Sequence, residues 1–206
     1  MSLLLLVEGP DDQYVSGNLL AANDIRLDPP SGIRSCGGIE RLLRDVLPAT
    51  LRAATHRAIG VIVDADADIT ARWEALRYRL IEAGYTPPPV PDASGTIVRG
   101  ERAVGLWLMP DNKLPGTLEQ FVSKLIPDGD ELFPVARAAV AAIPQHLRRF
   151  ASTSAAKAEL HTYLAWQEEP GTPRGAGIAK RYFATTNETA GHFVDWVKRL
   201  RGLGQV

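Results

Sequence analysis

Ala58-Ile59-Gly60-Val61-Ile62-Val63-Asp64-Ala65-Asp66-Ala67-Asp68 is the stretch that decides the fold. Its apolar run does not alternate with polar residues, so it predicts a strand buried on both faces, the habit of parallel sheets covered by helices on either side. The run then breaks into aspartates. Two further segments repeat the pattern: Leu3 to Val7 closes on Glu8-Gly9-Pro10, and Val104 to Met109 closes on Pro110-Asp111-Asn112. Helical stripes lie between and after them. These are Tyr14, Val15, Leu19 and Leu20; Ile39, Leu42, Leu43, Val46 and Leu47, ending near Pro48 or running on to Ala54; Trp73, Leu76, Leu80 and Ile81, stopped by Gly84; and Leu118, Phe121, Val122 and Leu125 after Pro115-Gly116-Thr117. Ile25 to Arg34, broken by Pro29-Pro30-Ser31-Gly32, reads as a weak strand or irregular edge, and Pro87 to Pro91 as a stiff extended connection. Strands alternating with helices predict an α/β domain with a mainly parallel sheet.

Beyond about Phe133 the strand signals stop. Residues 136–143, 155–166, 178–183 and 192–203 read as helices, so residues 1–130 are expected to form the α/β domain and 131–206 a helical extension packed on it. Gly171 to Gly177 is glycine-rich but lacks the Gly-Lys-Ser/Thr ending of a P-loop and follows a helix, so it reads as a turn. Phe193, Val194, Trp196, Val197 and Leu200 form a stripe for docking on the core, beside Lys198, Arg199 and Arg201.

Composition sets the outer bounds. With 206 residues, 45% hydrophobic and 23% charged, the chain can bury a core, which excludes wholesale disorder. A net charge of -1 excludes a global basic field for polyanions. The charge is nevertheless uneven: residues 148–206 carry nine Lys or Arg against five Asp or Glu, whereas residues 1–147 carry 14 against 19. A single cysteine, Cys36, allows neither an internal disulfide nor a cysteine-rich zinc site. The opening apolar run is too short for a secretory peptide, and no run reaches the roughly 18–20 residues of a membrane span, so a cytoplasmic protein with no membrane partner is expected.

In open parallel sheets, ligands bind outside the carboxyl ends of the strands, where Glu8, Asp64, Asp66 and Asp111 would fall. Several ionised carboxylates in one crevice are most easily maintained by a divalent cation, and Mg2+ (or Mn2+) is the natural choice for an all-oxygen set. An EF-hand is excluded, because its sixth position would be Ile69 rather than Gly and its twelfth Ala75 rather than Glu. A haloacid-dehalogenase-like Asp-x-Asp is disfavoured by the strand and helix that precede it, and a glycosyltransferase-like one by the lack of a donor-binding half. His56, His146 and His192 have no ligand spacing. Lys157 and His161 lie one helical turn apart, close enough to act together on a phosphate, or simply a solvated lysine beside a hydrogen-bonded histidine.

The ordered pair Leu4-Leu-Leu-Val-Glu8-Gly-Pro-Asp-Asp12 and Val61-Ile-Val-Asp64-Ala-Asp66 resembles the Toprim domain of topoisomerases, primases, ribosomal RNA maturases and overcoming-lysogenization-defect (OLD) nucleases. The resemblance covers about residues 3–125. It implies that Glu8 acts as general acid or base or as a metal ligand, and that Asp64 and Asp66 bind metal. Asp12 occupies the place of a further aspartate in the OLD-like branch, with a helix-capping role as its alternative. Trp107 to Asn112, Pro115 to Glu119, and Lys157 to Pro173 look like an uncharacterised stand-alone Toprim family related to OLD proteins. That narrower resemblance implies Asp111 and Glu119 for a second metal site and Lys157 near the reacting phosphate. For Glu119, helix-dipole stabilisation is the competing role. Asp68 matches no essential position and reads as a cap for the helix at Thr70.

The expected function is therefore a Mg2+-dependent phosphodiesterase or nuclease acting on DNA or RNA. The alternative is a non-catalytic Toprim-like module that binds metal or nucleic acid alongside a separately encoded ATPase partner, since the fused ATPase of OLD proteins is missing from this chain.

Overall fold

A computed structural model describes residues 3–27, 32–53 and 55–204, and its centre is the strand predicted from the aspartate run. Ala58–Asp64 (β3) pairs in parallel with Leu3–Val7 (β1) on one side and Ala103–Met109 (β5) on the other. Ile33–Ser35 (β2) adds in parallel outside β1, and Thr96–Arg99 (β4) closes the far edge antiparallel to β5, giving the order β2-β1-β3-β5-β4. The segment at Pro29-Pro30-Ser31 lies outside the described residues, so only the Ile33–Ser35 part of that weak strand is assigned.

Both faces of the three central strands are covered, which is why their sequences read as unbroken apolar runs. Leu4, Leu6, Ile59, Val61, Val63, Leu106 and Leu108 pack with one helical layer. That layer is Ile39–Arg41 (α2), a π-helical turn Leu42–Val46, Leu47–Ala53 (α3) and Ile69–Glu82 (α4). The helix runs on through Pro48 directly after the π-helical turn, where the backbone ladder is already irregular. The opposite residues, including Leu5, Val7, Ile62, Trp107 and Met109, face Pro10–Ala22 (α1), Leu118–Ser123 (α5) and Glu188–Leu203 (α9). Leu132–Ala141 (α6), Ala155–Ala165 (α7) and Arg174–Ala179 (α8) extend the same apolar cluster through Ala136, Leu160, Tyr163 and Ile178.

The α9 stripe is buried as expected: Phe193, Val194, Trp196, Val197 and Leu200 are at most 2% exposed. Gly60 and Gly105 are register neighbours beneath it. A Cβ on Gly60 would fall 3.2 Å from Leu200 Cδ2, and one on Gly105 would fall 2.6 Å from the same atom, so the two glycines let the helix approach the sheet.

The sheet is mainly parallel as expected; the antiparallel edge strand β4 is an addition, its short Thr-Ile-Val-Arg segment after the proline run giving little periodic signal. Three expectations change. Tyr14 and Ile81 leave their stripes and are 64% and 48% exposed, because α1 and α4 need only one narrow face for the sheet. The glycine-rich 171–177 stretch is partly helical, not a turn, and α8 ends at Ala179 rather than starting at Ile178. Helix α9 begins four residues before His192, where Asn187 caps it by accepting from the Ala190 amide. Among the described residues, no helix is long and apolar enough to cross a membrane.

Candidate functional site: a carboxylate crevice at the β1–β3 switch point

Strand β1 is followed by a connection to β2 on one side, and the chain then crosses to β3 on the other. Connections therefore diverge above β1 and β3, leaving a crevice at their carboxyl ends. Glu8 follows the last residue of β1, and Asp64 is the last residue of β3. Asp12 enters from the first turn of α1.

Each of these carboxylates is oriented by a backbone amide. Glu8 Oε1 accepts from Asp64 N at 2.8 Å, Asp64 Oδ1 from Leu118 N at 2.8 Å, and Asp12 Oδ2 from Gly9 N at 3.0 Å. The last bond closes the start of α1 from its third position, so Gly9 rather than either aspartate is the cap residue. The strand end, the start of α1 and the start of α5 are thus tied together through the acids themselves.

Their electrostatics follow from burial and crowding. Burial raises the pKa of Asp64 to about 8, and the neighbouring charges of Asp12, Glu8 and Glu119 add to it. Glu8 rises to about 7, chiefly by burial, with Asp12 and Asp66 contributing and the Asp64 amide and Arg72 opposing. Asp12 rises to about 6, again by burial first, with Glu119 and Asp11 adding to it. Three carboxyls that would be anions in water are held partly protonated near neutral pH.

The other expected ligands are placed differently. Asp66 sits in a loop with φ 54°, its amide donating to Gly116 O at 2.8 Å, and its side chain is paired with Arg72. It borders Glu8 but carries its own counter-ion. Glu119 lies close enough to raise Asp64 and Asp12, yet its carboxylate is taken by Arg174 and by the Thr117 hydroxyl at 2.7 Å. Burial opposes its ionisation, but Thr117 and Arg174 outweigh burial and the pKa falls. Asp111 stands apart: it accepts from Lys113 N at 3.1 Å, Leu114 N at 2.9 Å and Lys124 Nζ at 2.6 Å. Burial opposes its ionisation too, but those donors outweigh it and lower the pKa. Lys157 is exposed on α7, near His161, whose pKa is lowered by burial and then by Arg174 and Lys157. Asp68 caps α4 by accepting from Thr70 N at 2.9 Å and Ala71 N at 3.0 Å.

One residue of the site escaped the sequence reading. Arg174 is 5% exposed, starts α8 and bridges Asp11 and Glu119. A lone arginine in a glycine-rich stretch gave no spacing signal, and only the docking of α8 on α1 brings it to the crevice.

Among the described residues, no three Asp, Glu, His or Cys side chains converge tightly enough, as they stand, to form a metal-binding group. The chemistry of the donor set still fits a hard divalent cation: Glu8, Asp12 and Asp64 offer only oxygen, and their mutual repulsion is what such an ion relieves. A family model described as "Protein of unknown function (DUF3226)" matches residues 2–202. The chain belongs to that family. No curated protein and no solved structure matches. The DUF3226 match spans both the strands that carry Glu8 and Asp64 and the helices that carry Lys157 and Arg174.

Proposed function

We propose that the chain is a divalent-cation-dependent phosphodiesterase acting on DNA or RNA, a Toprim-type nuclease, with the β1–β3 crevice as its active site. One observation carries the reading: Glu8 and Asp12 from the β1–α1 junction and Asp64 from the end of β3 crowd together at the point of the sheet where ligands bind, and burial first and neighbouring acids next raise the pKa of each. The order Glu8-Gly9 and then Asp64-Ala65-Asp66, each closing an apolar strand, supports it through the Toprim resemblance.

Glu8, Asp12 and Asp64 would hold Mg2+ or Mn2+, with Asp66 at the rim. The bound ion would offset phosphate charge and lower the pKa of an attacking water. Where Glu8 is not itself a ligand, its carboxylate stands beside Asp64 to take a proton from that water and return one to the leaving oxygen. The amides that fix Glu8 and Asp64 keep both carboxylates oriented whether or not they are charged. Lys157, exposed near Arg174 and His161, would face the charge that develops on the phosphate.

The test is incubation of the purified chain with single- and double-stranded DNA and RNA in Mg2+ or Mn2+. Wild type should cleave at least one of them, and chelation, Asp64→Asn or Glu8→Gln should each cut the rate by about 100-fold or more. Unchanged cleavage in either variant contradicts the mechanism.

One observation favours a second reading, in which the chain binds metal or nucleic acid without cutting and works with a separately encoded ATPase. Asp66 and Glu119 already carry arginine counter-ions, which leaves fewer free ligands for a second metal. Co-purification with such an ATPase, and no hydrolysis by the chain alone, would favour it. A cytoplasmic setting belongs to both readings.

A further inference from the structure

The guanidinium of Arg174 is one of the few buried charges among the described residues, and its two ends are held unequally. On one side Glu119 is only 13% exposed and is fixed again by Thr117. On the other side Asp11 is 56% exposed and makes no other side-chain hydrogen bond among the described residues. One carboxylate is an anchor, and the other is a solvent-facing counter-ion that can leave at little cost.

The anchor itself is rigidly delivered. Gly175 packs so tightly on α1 that a Cβ there would lie 2.7 Å from Tyr14 Cβ and 2.9 Å from the Tyr14 carbonyl carbon. Gly177 meets Phe183 in the same way, since a Cβ on it would lie 2.8 Å from Phe183 Cε2. Gly175 and Gly177 thus serve close docking of α8, which sets the guanidinium beside Glu119 and the crevice.

We propose that Arg174 is a substrate-binding residue that receives a backbone phosphate of the nucleic acid, with Asp11 as the exchangeable counter-ion it gives up. This rests on the reading that the crevice takes a phosphodiester. A guanidinium presents a planar fork to which phosphate oxygens bind in pairs, whereas Asp11 meets it through a single oxygen of a solvent-exposed carboxylate. Asp11 can rotate into water while Glu119 keeps the fork aimed. Lys157 and His161 stand on the neighbouring helix, so the basic side of the site comes from the C-terminal helices and the acidic side from the ends of β1 and β3 and the first turns of α1 and α5.

The experiment is fluorescence anisotropy of a labelled DNA oligonucleotide and its RNA counterpart, with the full chain in EDTA so that nothing is cleaved. Wild type should bind. Arg174→Lys, which keeps the charge and loses the fork, should weaken binding about three- to tenfold. Asp11→Asn alters an exposed side chain and should tighten binding about two- to fivefold. In the Arg174→Lys background that gain should vanish, because no fork remains to be released. Melting curves of all variants report whether the fold is intact.

An equal Asp11→Asn gain in both backgrounds would reduce the effect to general electrostatics and overturn the proposal. So would unchanged binding by a folded Arg174→Lys variant, or no binding by wild type. The readout is separate from hydrolysis. Binding with this pattern but without cleavage removes the phosphodiesterase and leaves Arg174 in its role, while cleavage without the pattern does the reverse.

Discussion

Asp64 and Asp111 close neighbouring strands of one sheet, yet their surroundings drive their acidities in opposite directions. Asp64 ends β3 among Glu8, Asp12 and Glu119, and its pKa is raised to about 8, by burial first and by those charges next. Asp111 follows β5 by two residues, meets Lys124 and two turn amides, and its pKa falls despite burial. An acid at a strand end is therefore not enough to mark a cation site. What sets Asp64 apart is the company of other acids with no cation paired to its own carboxylate, and that company is set by helices distant in sequence.

Activity should separate Asp64 from Asp111 most widely. Asp64→Asn should lower magnesium-dependent cleavage by about 100- to 1000-fold, the range of a lost electrostatic contact in a phosphoryl-transfer site. Asp111→Asn should stay within about threefold, because its carboxylate serves Lys124 and a turn. Similar losses in steady-state cleavage assays of both variants would erase the distinction.

Stability should separate the pair by sign. A carboxyl whose folded pKa lies above its unfolded value takes up protons on folding. Its contribution is fully present below the ordinary 3.8 of Asp or 4.5 of Glu, and is lost as pH rises through about 8 for Asp64 and about 7 for Glu8. Melting temperature in EDTA should thus fall between pH 5 and pH 8. At pH 8 Asp64→Asn should raise it by a few degrees, since roughly 2–4 °C corresponds to 1 kcal/mol in a chain of this size. Asp111 has the opposite linkage, with stability present above the ordinary carboxylate range and lost as pH falls. Asp111→Asn should lower stability at pH 8 by less than about 1 kcal/mol, discounted because Lys124 is 39% exposed. Thermal unfolding of both variants across pH checks the two signs together.

A smaller effect sharpens the contrast within the aspartate run itself. Asp68→Ala removes the two amide bonds that cap α4 and should cost about 1 kcal/mol while leaving cleavage intact. Denaturant unfolding beside a cleavage assay measures both halves of that statement.

The central strands were legible because burial on both faces leaves no polar residue to interrupt Leu3 to Val7, Ala58 to Val63 or Val104 to Met109. The acids that end them were legible for the same reason, as the first charges after a dry run. β4 was not, since four residues at a sheet edge carry too short a pattern. Arg174 was not, because its role depends on Gly175 meeting Tyr14, a contact between helices more than 150 positions apart. The difference between Asp111 and Asp64 was equally invisible, because it is made by Lys124 in one case and by Asp12 and Glu119 in the other.

The most direct measurement is calorimetric titration of Mn2+ into the metal-free chain at pH 7.5, repeated with Asp64→Asn and Asp111→Asn. Three crowded carboxyls that must ionise to hold a cation predict binding by wild type with release of protons, its loss in Asp64→Asn, and its retention in Asp111→Asn. No heat of binding in wild type, or binding that survives Asp64→Asn, would contradict the account.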